Sequence, residues 1–202
     1  MVMKRNTGTK QQIKNAFTKL LKEKGMDSLT ISEIARDANI NRGTFYLHYI
    51  DKYDLLEKLE NEVIEELTKI LLCDDSNDDI ENPNNIDDLI DIIPYNAILN
   101  ALYYVKSDFE FIEALTGNGG DPMFVERFKR IIEQLILIQI EKTDKLNFSM
   151  KGLPEDYARE ILLSSATAII LLWIKKGALE SPEVIAEMLS KAKEISPYEL
   201  LV

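Results

Sequence analysis

Between Thr30 and Tyr49 the chain reads TISEIARDANINRGTFYLHY, two short helical segments on either side of an abrupt break. Few folds accommodate that pattern. Thr30 and Glu33 have capping-box form, so a helix opens there with its first amide groups satisfied. Ile31, Ile34, Ala35 and Ala38 then recur at helical spacing. Asn39-Ile40 interrupts the spacing, and Asn41 is placed to cap a second helix reaching about Tyr49. Ala35 is small enough for the two helices to cross closely. Ile31, Ile34, Ala38, Ile40 and Phe45 form the side that needs burying, which leaves Arg42, Gly43, Thr44, Tyr46 and His48 facing outward.

The remainder of the chain is also helical in pattern. Thr9 to Gln12 has capping-box form ahead of Ile13, Ala16, Phe17, Leu20 and Leu21, and Gly25 is placed to end that helix. Asp51 caps a fourth helix with Leu55, Leu56, Leu59, Val63, Leu67 and Leu71 on its core face. Helical spacing resumes over Ile86–Val105, interrupted or restarted at Pro94, and continues over Ser107–Leu115. Asp121-Pro122 reads as cap and first residue of a long helix to about Leu146. Lys151–Pro154 opens a helix ending at Gly177, and Ser181-Pro182 caps a last one to about Ile195. No strand-like alternation and no internal repeat is present. The expected fold is all-α: a helix-turn-helix head over residues 1–52 and a helical body over 53–202.

Charge separates the same two regions. The whole chain carries −11, which taken alone argues against nucleic acid. Residues 1–52, however, hold ten Lys or Arg against five acidic residues, a net of +5, while the remaining 150 residues sum to −16. A basic head on an acidic body points to a polyanion held by the head alone. In such a head the second helix enters the DNA major groove. There Arg42 can take guanine in a bidentate pair, Thr44 can meet a phosphate or a thymine methyl, and Gly43 lets the backbone approach. Tyr46 and His48 suit phosphate or sugar, with partial packing of the head as their alternative role. Lys52 places a positive charge at a helix N-terminus, a setting favourable to phosphate.

Other classes are poorly served. One cysteine, Cys73, and one histidine, His48, exclude a disulfide framework and most Cys or His metal sites. In the stretch DDSNDDIENPNN after Cys73, Asp75, Asn77 and Asp79 alternate as in a calcium loop, but Ile80 and Ile86 stand where Gly and Glu are needed, so it reads as a solvated connection. No nucleophile motif or phosphate loop is present, so no enzyme and no cofactor is expected. The longest uncharged apolar run, Ile161–Ile174, falls short of the ~20 residues that span a bilayer. A cytoplasmic protein without a membrane partner is expected.

LTISEIARDANINRGTFYLHYIDKYDLL resembles the N-terminal signature of the TetR (tetracycline-repressor-like) family of bacterial regulators. The shared elements are a Thr before helix two, an Ile-Ala pair within it, Gly-Thr-Phe-Tyr in the recognition helix, His-Tyr closing it, and Asp-Lys-x-x-Leu-Leu opening helix four. The resemblance implies a DNA-binding head on an all-α ligand-binding body, acting as a homodimer on a palindromic operator, usually as a transcription repressor. By position it implies that Thr30 and Lys52 hold phosphates. Ser32, Arg42, Gly43, Thr44 and Tyr46 then face base edges or flanking phosphates, and His48 lies near the backbone.

The C-terminal segments around SDFEFIEALTGNGGDPMF and LLWIKKGALESPEVIAEML resemble bodies in which the last two long helices pair with their two-fold mates. Ser164, Ser165, Ala166 and Ala168 permit close approach there. Ile169, Leu172 and Trp173 are candidate anchors, with Met188 and Leu189 on the last helix. A small-molecule effector would sit inside the body, with Tyr95, Leu99, Tyr103, Phe109, Phe111, Phe128, Tyr157 and Trp173 as candidate walls. The alternative keeps the DNA head and makes the body a dock for a protein partner.

Overall fold

The fold was obtained as a computed structural model, which describes residues 3–72, 95–143 and 154–192. All regular structure among the described residues is helical: α1 (Met3–Ser28), α2 (Ile31–Asp37), α3 (Arg42–Tyr46), α4 (Lys52–Leu72), α5 (Tyr95–Ser107), α6 (Phe109–Thr116), α7 (Pro122–Thr143), α8 (Glu155–Lys175) and α9 (Pro182–Ala192). The all-α expectation holds. The acidic stretch 74–85, the break at Pro94 and the opening at 151–153 lie outside the described residues.

Local hydrogen bonding sets most boundaries. The Thr30 hydroxyl accepts from the Glu33 amide at 3.3 Å while the Glu33 carboxylate accepts from the Thr30 amide at 3.0 Å, a complete capping box. Asn41 Oδ1 accepts from the Gly43 amide at 2.8 Å and so starts α3. Asp51 Oδ1 accepts from the amides of Tyr53 and Asp54 at 2.9 and 2.8 Å, and Asp121 Oδ1 from that of Met123 at 2.9 Å. Gly25 lies at φ 73°, which breaks α1 one turn before Ser28. One expected cap is wrong. Thr9 lies inside α1, because Met3–Gly8 contains no proline and a single glycine weakens a helix without forbidding it.

The residues up to Glu66 form one compact unit together with Asp108–Glu126. This unit is larger than a head ending at residue 52, because α6 packs on α1. Phe111, Ile112 and Leu115 of α6 are buried, as are Ile13, Phe17, Leu20 and Leu21 of α1. Charge adds to the apolar seam: Lys14 pairs with Asp108, and Lys22 sits 2.6 Å from both Glu110 and Glu113, which together raise the lysine's pKa. The Met26 amide donates to the Gly119 carbonyl at 3.2 Å, and a Cβ on Gly119 would come within 2.8 Å of the Gly25 Cα. Glycine at 119 is what permits the two backbones to meet.

The second unit holds the remaining described residues, with α9 packed on both α5 and α8. Its core includes Ile98, Leu102, Ile132, Leu163, Trp173 and Ile185. Arg159–Glu133 and Lys129–Glu160, at 3.5 and 3.6 Å, join α8 to α7. The Trp173 indole donates to the Glu180 carbonyl at 3.1 Å across the turn in which Gly177 has φ 83°.

The capping box also sets an acid sensitivity. Hydrogen bonds from Lys24 first, and then Thr30, hold the Glu33 carboxyl at about 2, below its ordinary 4.5. The ionised form is the one the fold favours. Its contribution is therefore complete above about pH 4.5 and lost as the pH falls toward 2. Glu33→Gln should flatten the fall of thermal stability across that interval relative to wild type, as followed by helical circular dichroism. Equal slopes for the two proteins would show that another carboxylate governs the acid limb.

Candidate nucleic-acid interface

The second helix of the motif is short and heavily exposed. Phe45 is its one fully buried side chain, seated edge-on to Tyr46 and 5.6 Å from the Tyr49 ring. At 3.6 residues per turn, Arg42, Tyr46, Gly43 and Leu47 fall within roughly 140° of arc, opposite Phe45. Arg42, Gly43 and Tyr46 are exposed and Leu47 is 82% exposed, whereas Thr44 and His48 are half-buried. α2 packs behind α3 and buries Ile34 and Ala35, leaving Ser32 exposed. Ile31 and Ile40, expected in the core, are only half-buried.

Arg42 and Tyr46 are coupled. The Arg42 guanidinium donates to the Tyr46 hydroxyl at 3.0 Å and lies 5.6 Å from the centre of its ring. The remaining guanidinium donors keep the planar fork that matches guanine or phosphate. Gly43 has a different property. A Cβ there would meet only Asn41 Oδ1, at 3.4 Å. Nothing inside the unit requires a glycine at this exposed helical position.

Two side chains expected at phosphates have partners within the head. The Thr30 hydroxyl is shared with Glu33 in the capping box. The Lys52 ammonium donates to the carbonyls of Met26, Asp27 and Leu29 at 2.9, 3.0 and 3.1 Å, so it anchors the end of α1 and the approach to α2. Those three bonds match the three ammonium protons. His48 lies 6.2 Å from the Tyr49 ring, and its carbonyl accepts from Lys58 at 3.4 Å.

Leu47, Ile50 and Tyr53, which are not among the outward residues expected from the sequence, are 82%, 77% and 57% exposed. The available signal was helical phase, since Leu47 follows Gly43 by one turn.

The candidate effector walls are divided between the two units. Phe109 and Phe111 belong to the first unit, where Phe111 is buried with the Lys14 ammonium 4.7 Å above its ring. They lie there because the apolar face of α6 is covered by α1. In the second unit Tyr95, Tyr103 and Tyr157 are exposed, with the Tyr103 hydroxyl bonded to Glu183. Leu99 and Phe128 are half-buried, and Trp173 is buried. Trp173 and Leu189 pack within their own chain, so they are not surface anchors. The exposed stripe on α8 is Ile161, Ser165, Ala168 and Leu172, a helical i, i+4, i+7, i+11 series.

A capped two-helix reader on a basic N-terminal segment is the form of a helix-turn-helix transcription regulator. Residues 14–59 match "Bacterial regulatory proteins, tetR family", and residues 94–193 match "Transcriptional regulator C-terminal region" of the same family. The chain belongs to the TetR family. It is 26% identical over 176 residues to the uncharacterized HTH-type transcriptional regulator YxbF of Bacillus subtilis (strain 168), covering 87% of this chain and 42% of that protein. The chain thus spans less than half the length of this curated relative. In fold it is similar to a TetR transcriptional regulator from Streptococcus agalactiae 2603V, with a TM-score of 0.60, 23% identity and coverage of 96% and 98% of the two chains. It is also similar to NalD, the secondary repressor of the MexAB-OprM multidrug efflux pump in Pseudomonas aeruginosa, with a TM-score of 0.57, 23% identity and coverage of 95% and 96%.

Two substitutions separate folding from binding. Gly43→Ala should leave the unit as stable or raise its stability by about 0.5–1 kcal/mol, the helix cost of glycine. The added methyl should weaken duplex DNA binding by about tenfold or more, ~1.4 kcal/mol. Unchanged affinity in a fluorescence anisotropy titration would remove the close backbone approach. Lys52→Ala should instead lower the unfolding midpoint by the equivalent of about 1–3 kcal/mol, since three backbone acceptors lose a charged donor.

Proposed function

We propose that the protein is a sequence-specific transcription repressor that binds a two-fold symmetric operator as a homodimer and is released by a small molecule bound in its second unit. One observation carries the DNA reading: Arg42, Gly43 and Tyr46 are exposed together on a capped helix, and no packing need explains the glycine. In this reading Arg42 takes a guanine edge, Gly43 allows the backbone close, and Thr44, Tyr46 and Ser32 meet flanking phosphates or bases. Thr30, His48 and Lys52 lie toward the phosphate backbone, with Lys52 also bracing the motif.

The exposed α8 stripe supports the homodimer. Ser165 and Ala168 are small enough for close helix approach, flanked by Ile161 and Leu172, and Val184 and Met188 add exposed apolar surface on α9. A dimer is what the DNA geometry asks for, because half-sites one helical turn apart lie about 34–36 Å from each other. The description of NalD as a repressor supports the same direction of control. Release by an effector requires unequal affinity for DNA-competent and incompetent states, and a 100-fold change in operator affinity corresponds to about 2.7 kcal/mol of coupling. Leu99 and Phe128, half-buried in the second unit, are the first residues to examine for effector contact.

The test is selection from a random duplex library with purified wild-type protein beside Arg42→Ala. A two-fold symmetric site should be enriched, and the mutant should lose about 1–3 kcal/mol and relax its preference at one position per half-site. Equal losses on all sequences would place Arg42 on a phosphate. Absence of any enriched site at low salt would overturn the proposed DNA reading.

A further inference from the structure

Among the described residues of the first unit, Leu47 is the most exposed large apolar side chain, at 82%, and it stands on the same arc of α3 as Arg42, Gly43 and Tyr46. A single exposed leucine is ordinary on a protein surface. This one is distinguished by its place. It follows Gly43 by one helical turn, so the side of the helix that carries no Cβ at 43 continues directly into the Leu47 methyl groups. Its backbone stays helical, at φ −73° and ψ −17°, which keeps the side chain in register with the reader positions. Exposed Ile50 and Tyr53 follow in sequence, so the apolar character continues past the end of α3.

The surroundings name the partner. Residues 1–52 carry a net +5, and Arg42 lies on the same arc, so a partner reaching Leu47 also meets cationic side chains. That combination fits duplex DNA, whose major groove offers one large apolar group, the C5-methyl of thymine, amid polar base edges and phosphates. The geometry points to Leu47 as a specificity-determining residue that recognises a thymine by its methyl group, beside the base contacted by Arg42. The inference rests on the DNA-reading function proposed above and deepens it. Leu47 supplies apolar contact alone, so it distinguishes thymine from cytosine and from uracil, which lack the methyl, without forming a hydrogen bond.

The experiment replaces one thymine at a time by deoxyuridine in one half-site of the duplex enriched by the wild-type protein, which deletes only the methyl. Affinities are measured for wild type, Leu47→Ala and Leu47→Met. Wild type should bind about three- to fivefold more weakly when one particular thymine is replaced, the worth of burying one methyl group. Leu47→Ala should bind the unmodified site more weakly and show no further loss with deoxyuridine at that position. Leu47→Met, which keeps apolar reach, should recover sensitivity. Because the side chain is exposed, none of these substitutions should alter the unfolding midpoint.

Indifference of wild type to deoxyuridine at every position would overturn the assignment, as would undiminished sensitivity in Leu47→Ala. Unchanged DNA affinity in Leu47→Ala would do so too. In each of these cases the enriched site still stands, so the DNA reading survives. If no site is enriched, both fall together.

Discussion

The ammonium of Lys52 is where the DNA-reading end of the molecule is tied together. Every helix leaves its last carbonyls without intrahelical partners. Lys52, the first residue of α4, donates to the carbonyls of Met26, Asp27 and Leu29. A single side chain thereby joins the end of α1, the entry to α2 and the start of α4. The Thr30 capping box begins one residue beyond this anchor, and α3 is held against α2 in turn. The orientation of the exposed arc on α3 follows from that sequence of contacts.

A second constraint comes from far along the chain. α6 brings an apolar face and two acidic residues to α1, and Lys22 bridges both acids. The backbone contact between Gly25 and Gly119 requires the absence of a side chain at 119. The first unit is therefore built from the N-terminal helices and a segment that sequence order alone places in the body. Exposed ion pairs contribute little individually. Here they accompany a buried seam of Phe17, Leu21, Phe111 and Leu115, and the seam supplies most of the association.

The candidate interface was unevenly legible. Arg42, Gly43 and Tyr46 were identified as outward because Phe45 had to point inward and helical phase does the rest. Leu47 obeys the same phase, but an apolar side chain gives no sign in the sequence that it stays exposed. The resemblance implies phosphate contacts for Thr30 and Lys52, and each also holds partners inside the head. The effector walls were the least legible. An aromatic residue on an amphipathic helix says that something covers it, and for Phe111 that cover is α1 of the same unit.

What the sequence determined by itself was local. The helices, the break before Asn41, the caps at Thr30, Asn41, Asp51 and Asp121 and the positive-φ glycines at 25 and 177 all depend on hydrogen bonds and dihedral preferences spanning about one turn. Such interactions are written in neighbouring residues. Tertiary structure alone decided that α6 joins the first unit, that Lys52 reaches back to carbonyls more than twenty residues away, that Trp173 is buried within its own chain and that Leu47 stays largely uncovered. Each of these depends on which apolar faces meet, a choice made among many surfaces of similar hydrophobicity. Burial free energy is non-directional and roughly proportional to area, so a periodic pattern shows that a face will be covered without saying by what.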